Sequence, residues 1–328
     1  MKAVVYERYG AAAVLHSKDL PKPPPRAREI CVRIRAVEVN KGDCELRSFR
    51  FPVKWFSPLL RPFWGIRRPR RSRRVLGGYF AGEVEACGAG VTRFRVGERV
   101  YGSAGLRMGA YAEYAVFAEN SSIAPLPDTV DFAPAAASVL GGLNALHFLN
   151  LGRLSSGEHL LINGAGGSIG LAAIQIAKAR GAAVTAIDKP EKAALLRSVG
   201  ADHFIDYTRE DFRTKEGARC DVLFNMVPST TLADCLRSVK PDGRVLLGNA
   251  RFADLLRAAA GRPTDGKCVH AAFAGETPAE LAALSDLLTS GAFAPTVDRI
   301  LPLTEAVTAH LLVEREERQG SIVLSPDA

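Results

Sequence analysis

The segment "GAGGSIG" at 164–170 contains the residues whose types and spacing most directly indicate chemistry. It follows the apolar run "HLLIN" (159–163), precedes a helical pattern over 168–180, and contains the spacing A-x-G-x-x-G in Ala165, Gly167 and Gly170. A glycine at 167 lets the backbone approach a pyrophosphate, a glycine at 170 lets the helix pack closely on the strand, and the helix N-terminus offers unpaired N–H groups to the anion. Strand, turn and helix together predict a dinucleotide site. The predicted contacts are Gly164, Ala165, Gly166, Gly167, Ser168, Ile169 and Gly170.

The next predicted strand, "AVTAI" (183–187), is followed by Asp188, about 20 positions after the glycine loop, where an acidic residue binds the adenosine ribose hydroxyls. A carboxylate there repels a 2'-phosphate and favours NADH, whereas Lys189, Lys192 and Tyr207 are close enough in sequence to accommodate NADPH. The expected cofactor is therefore NADH or NADPH, with a preference for NADH. Asp188 also fits a helix N-cap that precedes Pro190.

Two different patterns of apolar residues along the sequence predict the domains that must position these residues. The first third has short apolar runs separated by Gly and Pro, such as "ICVRIRAVEVN" (30–40), which indicates a β-rich, barrel-like domain. Later strands at 183–187, 221–226, 243–248 and 268–273 alternate with helices, which is typical of a parallel, doubly wound α/β sheet. We expect domains at 1–123 and 124–275, with 276–328 returning to complete the first domain through a final short strand.

Composition narrows the class of protein. The chain has 328 residues, 47% hydrophobic and 24% charged, and no apolar run approaches the roughly 20 residues of a membrane helix. No secretory signal is visible, so we expect a cytoplasmic protein without a membrane span. The six cysteines lie far apart without a C-x-x-C pair, which favours free buried thiols over disulfides or a structural zinc loop.

The net charge of +8 depends strongly on one segment, Arg61 to Arg74, "RPFWGIRRPRRSRR", which holds seven arginines. A solvated loop is the favoured interpretation. The alternative is an anion-binding patch that faces nucleic acid, an anionic membrane surface or an acidic substrate, because Phe63 and Trp64 add stacking or interfacial capacity. The run has no nucleic-acid-binding motif, and we expect no nucleic acid partner.

Six segments in order along nearly the full chain show a family resemblance. They are "VNKGDCELRS" (39–48), "LGGYFAGEVEACGAGVTRFRVGERVYG" (76–102), "GAYAEYAV" (109–116), "INGAGGSIGLAAIQIAKARGAAVTAI" (162–187), "LRSVGADHFIDYTREDF" (196–212) and "PTVDRILPLTEA" (295–306). These segments resemble the medium-chain dehydrogenase/reductase superfamily, and within it the zinc-free quinone oxidoreductase and enone reductase branch. The resemblance implies a GroES-like catalytic domain joined to a Rossmann domain.

The resemblance also predicts that no metal takes part. Zinc-dependent relatives have Gly-His-Glu where this chain has Gly77-Gly78-Tyr79, and a four-cysteine lobe that is missing here. Cys44 stands alone, and fewer than three protein ligands do not hold a catalytic zinc. The implied activity is hydride transfer from NAD(P)H to an activated C=C bond of an enone, a quinone or a conjugated polyene, including a specialised biosynthetic reductase or reductive cyclase. The alternatives are an NAD(P)-dependent alcohol dehydrogenase and a nucleotide-binding protein with an anion-binding arginine loop.

By resemblance, Asn40 orients nicotinamide or substrate, Asp43 organises its loop, and Glu45 stands where the branch often has Lys or Tyr. A carboxylate at 45 stabilises an enolate only when it is protonated. Further predicted cofactor contacts are Asn144, Val227, Gly248, Asn249 and Ser321. The expected partner is a small-molecule substrate. We also expect a homodimer that forms through the sheet edge at 268–273.

Overall fold

The computed structural model describes residues 1–51, 56–213, 219–259, 266–272 and 276–328. These residues form two compact units. Unit 1 comprises Met1–Leu140, Glu276–Gly291 and Pro295–Ala328, and unit 2 comprises Gly141–Gly275 and Ala292–Ala294.

The strands of the described residues, in chain order, are β1 (Lys2–Val5), β2 (His16–Asp19), β3 (Glu29–Val39), β4 (Tyr79–Cys87), β5 (Arg99–Ser103), β6 (Tyr114–Ala118), β7 (Ile123–Pro125), β8 (His159–Asn163), β9 (Ala183–Asp188), β10 (His203–Asp206), β11 (Cys220–Asn225), β12 (Val239–Leu247), β13 (Cys268–Ala271), β14 (Val297–Pro302) and β15 (Ser321–Ser325). The α-helices are α1 (Lys41–Ser48), α2 (Phe56–Trp64), α3 (Phe132–Leu151), α4 (Ser168–Ala179), α5 (Ala193–Ser198), α6 (Leu232–Ser238), α7 (Phe252–Ala259), α8 (Pro278–Thr289) and α9 (Ala306–Glu314).

Unit 1 is built on a mostly antiparallel sheet in the order β14-β15-β3-β4-β5-β7, with β6 also paired to β3. The long strand β3 belongs to the predicted β-rich region, and its aliphatic side chains Ile30, Val32 and Ile34 enter the main core of the unit. The tail returns to this sheet, because β15 pairs antiparallel with β3, with Ile322 opposite Val39. The GroES-like β fold is therefore present.

Unit 2 contains a six-stranded sheet in the order β10-β9-β8-β11-β12-β13, in which every described pair of neighbours is parallel. The predicted doubly wound Rossmann sheet is confirmed. Strand order runs one way from β8 to β10 and the other way from β11 to β13. The sheet therefore has its topological switch point between β8 and β11, and ligands of such sheets bind beside the carboxyl ends of the strands there.

Helix α3 corrects one expectation from the sequence. Its 20 residues are long and apolar enough to cross a membrane by length and composition alone, with a mean hydropathy of 1.3 over its best window. The sequence pattern does not reveal a run of this length, because Gly141, Asn144 and His147 interrupt its aliphatic residues. Two thirds of the window, 67%, is buried inside the protein, which is what a core helix shows.

All six cysteines are free, as predicted. Their expected burial holds for Cys31, Cys44, Cys220 and Cys235, is only partial for Cys87, and is wrong for Cys268, which is exposed. Cys268 begins β13, and this strand lies at the edge of the sheet, where the protein covers side chains least. The predicted strand at 268–273 ends at Ala271, and Phe273 lies outside the described residues.

Candidate active site

The glycine loop in unit 2 joins β8 to α4 in a geometry that two of its glycines make possible. Gly164 has a φ of +86°, a left-handed conformation that favours glycine, and the N–H groups of Gly164 and Ala165 both lie 3.1 Å from the Ile187 carbonyl oxygen. A Cβ at Gly170 would lie 2.3 Å from the Ala165 carbonyl oxygen. The close approach of α4 to the loop therefore requires glycine at 170.

Gly167 differs from Gly170 in its surroundings. It is the N-cap of α4, and a Cβ built there would meet no other atom within 4 Å. Ser168 and Ile169 follow as the first residues of α4, so their N–H groups belong to the unpaired set at a helix N-terminus. Bare backbone, N–H donors and the positive end of the helix dipole are together suited to an anionic pyrophosphate.

Asp188 ends β9 beside this loop. One of its carboxylate oxygens accepts a hydrogen bond of 2.6 Å from Gly166 N, and the other accepts one of 2.8 Å from Lys189 N. Lys192 is buried, and a Cβ at Gly166 would lie 3.0 Å from its Cγ. The N-cap interpretation of Asp188 is wrong, because the short helix Pro190–Lys192 has Lys189 at its N-cap and no side-chain cap. Tyr207 is half exposed.

The carboxyl ends of β8, β11 and β12 bring further predicted residues together. A Cβ at Gly164 would lie 3.0 Å from Val227 Cγ2, Gly248 N donates to Asn225 O at 3.0 Å, and Asn249 Nδ2 donates to Met226 O at 2.8 Å. Gly164, Val227, Gly248 and Asn249 thus surround the switch-point edge of the sheet.

The polar residues that fix this edge were not predicted from the sequence. Asn163 Nδ2 donates to Asn225 Oδ1 at 2.8 Å and to Thr230 Oγ1 at 2.9 Å. The available signal was an asparagine at the end of each of two apolar strands. Asn144 lies on α3, one turn beyond Gly141, where a Cβ would come within 2.5 Å of Ser168 O. This part of α3 therefore packs closely on the start of α4.

In unit 1, Asn40 and Asp43 form a reciprocal capping box at the start of α1. Asn40 Oδ1 accepts from Asp43 N at 3.2 Å, and Asp43 Oδ2 accepts from Asn40 N at 3.3 Å and from Asn40 Nδ2 at 2.9 Å. The carboxamide NH₂ of Asn40 has two protons, and this pairing uses one of them. Asn40 is therefore held in one orientation, and its carboxamide has a second N–H that the capping box does not use.

Asp43 is fully buried and linked to two other segments of unit 1. Its Oδ1 accepts from Gly77 N at 3.2 Å, and its Oδ2 accepts from the Tyr111 hydroxyl at 3.2 Å. Burial raises the pKa of Asp43 to about 6, against the lowering effect of its hydrogen bonds. Asp43 thus joins the turn before β4 to the start of α1.

A chain of buried polar side chains continues from Tyr111, and it was not predicted from the sequence. The Tyr111 hydroxyl lies 3.2 Å from His310 Nε2, and His310 Nδ1 lies 3.3 Å from both Cys44 Sγ and Arg47 Nη1. Arg47, itself buried, also pairs with Glu314. Burial and the Arg47 guanidinium lower the pKa of His310 to about 3, so this imidazole is neutral. No local spacing in the sequence predicts such a chain of hydrogen bonds, because its members come from separate elements.

Glu45 lies on α1, two positions after Asp43. Its side chain is partly buried, and this burial raises the pKa of Glu45 to about 7, against the lowering effect of Lys41. At neutral pH a substantial fraction of this carboxyl is protonated. A carboxyl in its protonated form is the form in which Glu45 could donate a proton.

Two further carboxylates lie in unit 1, of which Glu38 is buried and Glu276 is partly buried. Glu38 accepts from the Ser321 hydroxyl at 2.7 Å, so the predicted cofactor contact Ser321 already has a partner within the sheet. Glu276 accepts from the Tyr79 hydroxyl at 2.7 Å and from Ser103 Oγ, and its own φ is +46°. Tyr79 occupies a position that the resemblance singled out, but its pairing with Glu276 could not be read from the sequence.

Comparisons with known proteins agree with this arrangement. The profile described as "Alcohol dehydrogenase GroES-like domain" matches residues 26–128, and the one described as "Zinc-binding dehydrogenase" matches 199–324. A quinone oxidoreductase of Pseudomonas aeruginosa is 33% identical over 99% of both chains. The solved quinone oxidoreductase of Coxiella burnetii is 26% identical over 99% of both chains, with a TM-score of 0.87. That of Escherichia coli, solved in complex with NADPH, is 26% identical over 99% of this chain and 100% of its own, with a TM-score of 0.82.

A GroES-like β unit in the same chain as a Rossmann unit defines the medium-chain dehydrogenase/reductases. The full-length match to a quinone oxidoreductase then gives the branch. The chain belongs to the quinone oxidoreductase family of this superfamily, as the resemblance of its motifs predicted.

Proposed function

We propose that this protein is a zinc-independent reductase that uses NADH or NADPH to transfer a hydride to an activated C=C bond. The acceptor classes are quinones, enones and conjugated polyenes. The observation that carries the proposal is the glycine loop of unit 2, where Gly170 is required by packing and Gly167 leaves bare backbone at the start of α4. Membership of the quinone oxidoreductase family supports it.

The residues present fit a dinucleotide. Gly164 to Ile169 would hold the pyrophosphate, Asp188 the adenosine ribose, and the switch-point edge with Val227, Gly248 and Asn249 the nicotinamide half. A reduced nicotinamide supplies the hydride when it is bound. Asp188 disfavours a 2'-phosphate by charge repulsion, while the buried Lys192 beside the loop offsets that effect. The remaining proposed contacts are Asn144, Lys189, Tyr207 and Ser321.

In unit 1, the proposed role of Asn40 is to donate a hydrogen bond to the acceptor or the nicotinamide. Its carboxamide is fixed by Asp43 and retains one N–H that the capping box does not use. Asp43 is the positioning residue for Asn40, because it joins Asn40 to Gly77 and Tyr111. A donor held in advance stabilises the enolate oxygen without reorganisation.

Glu45 is the proposed proton donor to the reduced acceptor. Its raised pKa, about 7, keeps the carboxyl protonated in part of the molecules at neutral pH, and an acid with a pKa near the working pH is the most effective proton donor. After the transfer, the carboxylate regains its proton from solvent.

Zinc independence is proposed from the donor set. In the part of the chain that the structure describes, three or more His, Cys, Asp or Glu side chains nowhere group as a metal site. Cys44 is buried and its thiol already contacts His310, and Gly78 offers no side chain at all. The pKa of the Cys44 thiol is raised by burial, which disfavours the thiolate that zinc requires.

We also propose a homodimer through the edge strand β13, and a reducing, cytoplasmic compartment. The edge position of β13 and the six free cysteines support these two proposals respectively.

The test measures loss of reduced-nicotinamide absorbance by chelator-treated enzyme with NADH or NADPH, against quinones, enones, enals and conjugated polyenes. We expect oxidation of at least one cofactor by one of these acceptor classes, unchanged by chelator. Activity that appears only with simple alcohols and added zinc would refute the proposal in favour of an alcohol dehydrogenase. Tight cofactor binding without turnover of any acceptor would indicate a nucleotide-binding protein.

A further inference from the structure

Helix α2 and the turn after it form a surface that contains none of the residues proposed for the reductase activity. We call this surface the α2 patch. It consists of Leu59, Phe63, Ile66, Arg67, Arg68, Arg70 and Arg71.

Helix α2 has two apolar stripes, of which only one is buried. Leu60 and Trp64, four residues apart, are 6% and 1% exposed, and Trp64 Nε1 donates to the Tyr6 hydroxyl at 2.9 Å. Leu59 and Phe63 have the same spacing and are 58% and 66% exposed. Residues four apart share a helix face, so the buried stripe fixes the helix to the core of unit 1 and holds the second stripe toward solvent.

The turn after α2 adds a third apolar side chain and keeps it near the helix. Ile66 is 75% exposed. Gly65 has a φ of +121°, and a Cβ there would lie 2.1 Å from Arg68 O, so the chain folds tightly at this point. Arg70 N donates to Trp64 O at 2.8 Å, which closes the turn on the end of α2. A fixed group of exposed apolar side chains indicates an interaction site.

The arginines of the segment fall into two sets. Three serve the fold: Arg61 lies 3.8 Å from the Phe49 ring centroid, Arg73 lies over Trp64, and Arg74 pairs with Glu7 at 3.1 Å. The other set is exposed, and among the described residues its members form no ion pair with a carboxylate. They are Arg67, Arg68, Arg70 and Arg71. The fold thus places four uncompensated cations beside an exposed apolar stripe.

We propose that the α2 patch docks the protein on the surface of a bilayer that contains anionic phospholipids. The four guanidinium groups would pair with lipid phosphates, and the apolar stripe would enter the boundary between headgroups and acyl chains. Helix α2 has nine residues and is roughly 14 Å long, so it lies on a membrane and does not span one. The inference stands independently of the proposed reductase activity.

The apolar side chains favour lipid over nucleic acid as the occupant. A nucleic acid would match the arginines, and its bases would stack on an aromatic ring such as Phe63. It offers no apolar interior for Leu59 and Ile66, whereas the acyl boundary of a bilayer accommodates all three side chains. The combination of charge and aliphatic surface is what a membrane interface recognises.

The experiment is flotation of the full-length protein with vesicles of phosphatidylcholine plus phosphatidylglycerol, and with vesicles of phosphatidylcholine alone. We expect flotation with the anionic vesicles only, and a loss of binding between low and high salt, because the screening length falls from about 10 Å at 0.1 M to about 3 Å at 1 M. The charge variant replaces the four arginines Arg67, Arg68, Arg70 and Arg71 by Ser, and should lose at least about tenfold in partitioning.

Two further variants separate the patch from its net charge. The apolar variant Leu59→Ser with Phe63→Ser keeps every charge and should also lose about tenfold. The matched control removes four exposed arginines elsewhere, each at least 3.6 Å from its paired carboxylate, and should bind as the wild type does. These are Arg28, Arg209, Arg257 and Arg299. Unchanged thermal unfolding establishes that each variant is folded, and Phe63→Ser alone replaces the apolar variant if that one is not.

Several outcomes overturn the proposal. One is a folded wild-type protein that does not float with anionic vesicles. Another is an equal loss in the control, which would make net charge the cause. A third is an apolar variant that binds vesicles normally while duplex DNA competes with the vesicles for the wild-type protein, which would favour a nucleic-acid surface.

Discussion

Replacing Gly170 and Gly167 separately by serine should separate stability from cofactor binding. Gly170→Ser places a Cβ 2.3 Å from the Ala165 carbonyl oxygen and 2.6 Å from Ala165 Cα, so backbone must move. Overpacking of this kind costs about 1–3 kcal/mol, which lowers Tm by several degrees in a protein of this size. Both the stability and the cofactor affinity of this variant should fall.

Gly167→Ser is the matched variant, because its Cβ meets no other atom within 4 Å and serine is a favourable N-cap. The free energy of unfolding should stay within about 0.5 kcal/mol of the wild-type value. The added side chain nevertheless occupies the side from which a pyrophosphate would approach the backbone. We expect the Kd for the reduced cofactor to rise at least tenfold, or about 1.4 kcal/mol.

The assay pairs thermal unfolding without cofactor with a fluorescence titration of NADH and NADPH. The reasoning fails if Gly167→Ser binds both cofactors as the wild type does, since the pyrophosphate would then not lie against that residue. The packing requirement for glycine at 170 is refuted if Gly170→Ser unfolds at the same temperature as the wild type.

Three other predictions use the same structure. The pKa of Glu45 is about 7 and its acid form is the proposed proton donor, so wild-type activity should decline as pH rises above about 7. Glu45→Gln should lower kcat and abolish this decline. A pH–rate profile that the substitution leaves unchanged would exclude the role of proton donor. Tyr111→Phe removes a buried hydroxyl that contacts both Asp43 and His310, and should lower the free energy of unfolding, measured in urea, by about 1–3 kcal/mol. Tyr114 is partly exposed, so Tyr114→Phe should change this free energy by under about 0.5 kcal/mol. Equal effects of the two substitutions would contradict the buried chain. Asp188→Ser removes the carboxylate that repels a 2'-phosphate and should shift the ratio of kcat/KM toward NADPH by on the order of tenfold, and an unchanged ratio would show that Asp188 does not set the preference.

Local patterns were sufficient for the architecture and for the glycine loop. The predicted strand at 159–163 and the start of the helix at Ser168 coincide with the structure, because apolar strand, bare turn and helix are adjacent in the chain. The final strand was also predicted to return to the first domain, and it pairs with β3. The extent of α3 was not predicted, because scattered small and polar residues hid its apolar character.

Contacts between distant segments could not be predicted from the sequence. The hydrogen bonds of Asp43 reach Gly77 and Tyr111, and the next member of that chain, His310, lies 199 residues beyond Tyr111. No periodicity relates residues so far apart. The N-cap interpretation of Asp188 was wrong although local spacing allowed it, because the short helix Pro190–Lys192 has Lys189 at its N-cap. One oxygen of the Asp188 carboxylate instead accepts from Gly166 N in the glycine loop.

The sequence by itself determined the two kinds of unit, the glycine loop and the family, since each depends on residues that are neighbours along the chain. Only the tertiary structure decided which carboxyls are buried, and therefore that the pKa of Glu45 lies near neutrality. It also decided which arginines of the segment Arg61 to Arg74 serve the fold and which remain exposed. Burial and charge pairing arise from segments that meet only when the chain has folded, and they fix the protonation and the exposure on which chemistry depends.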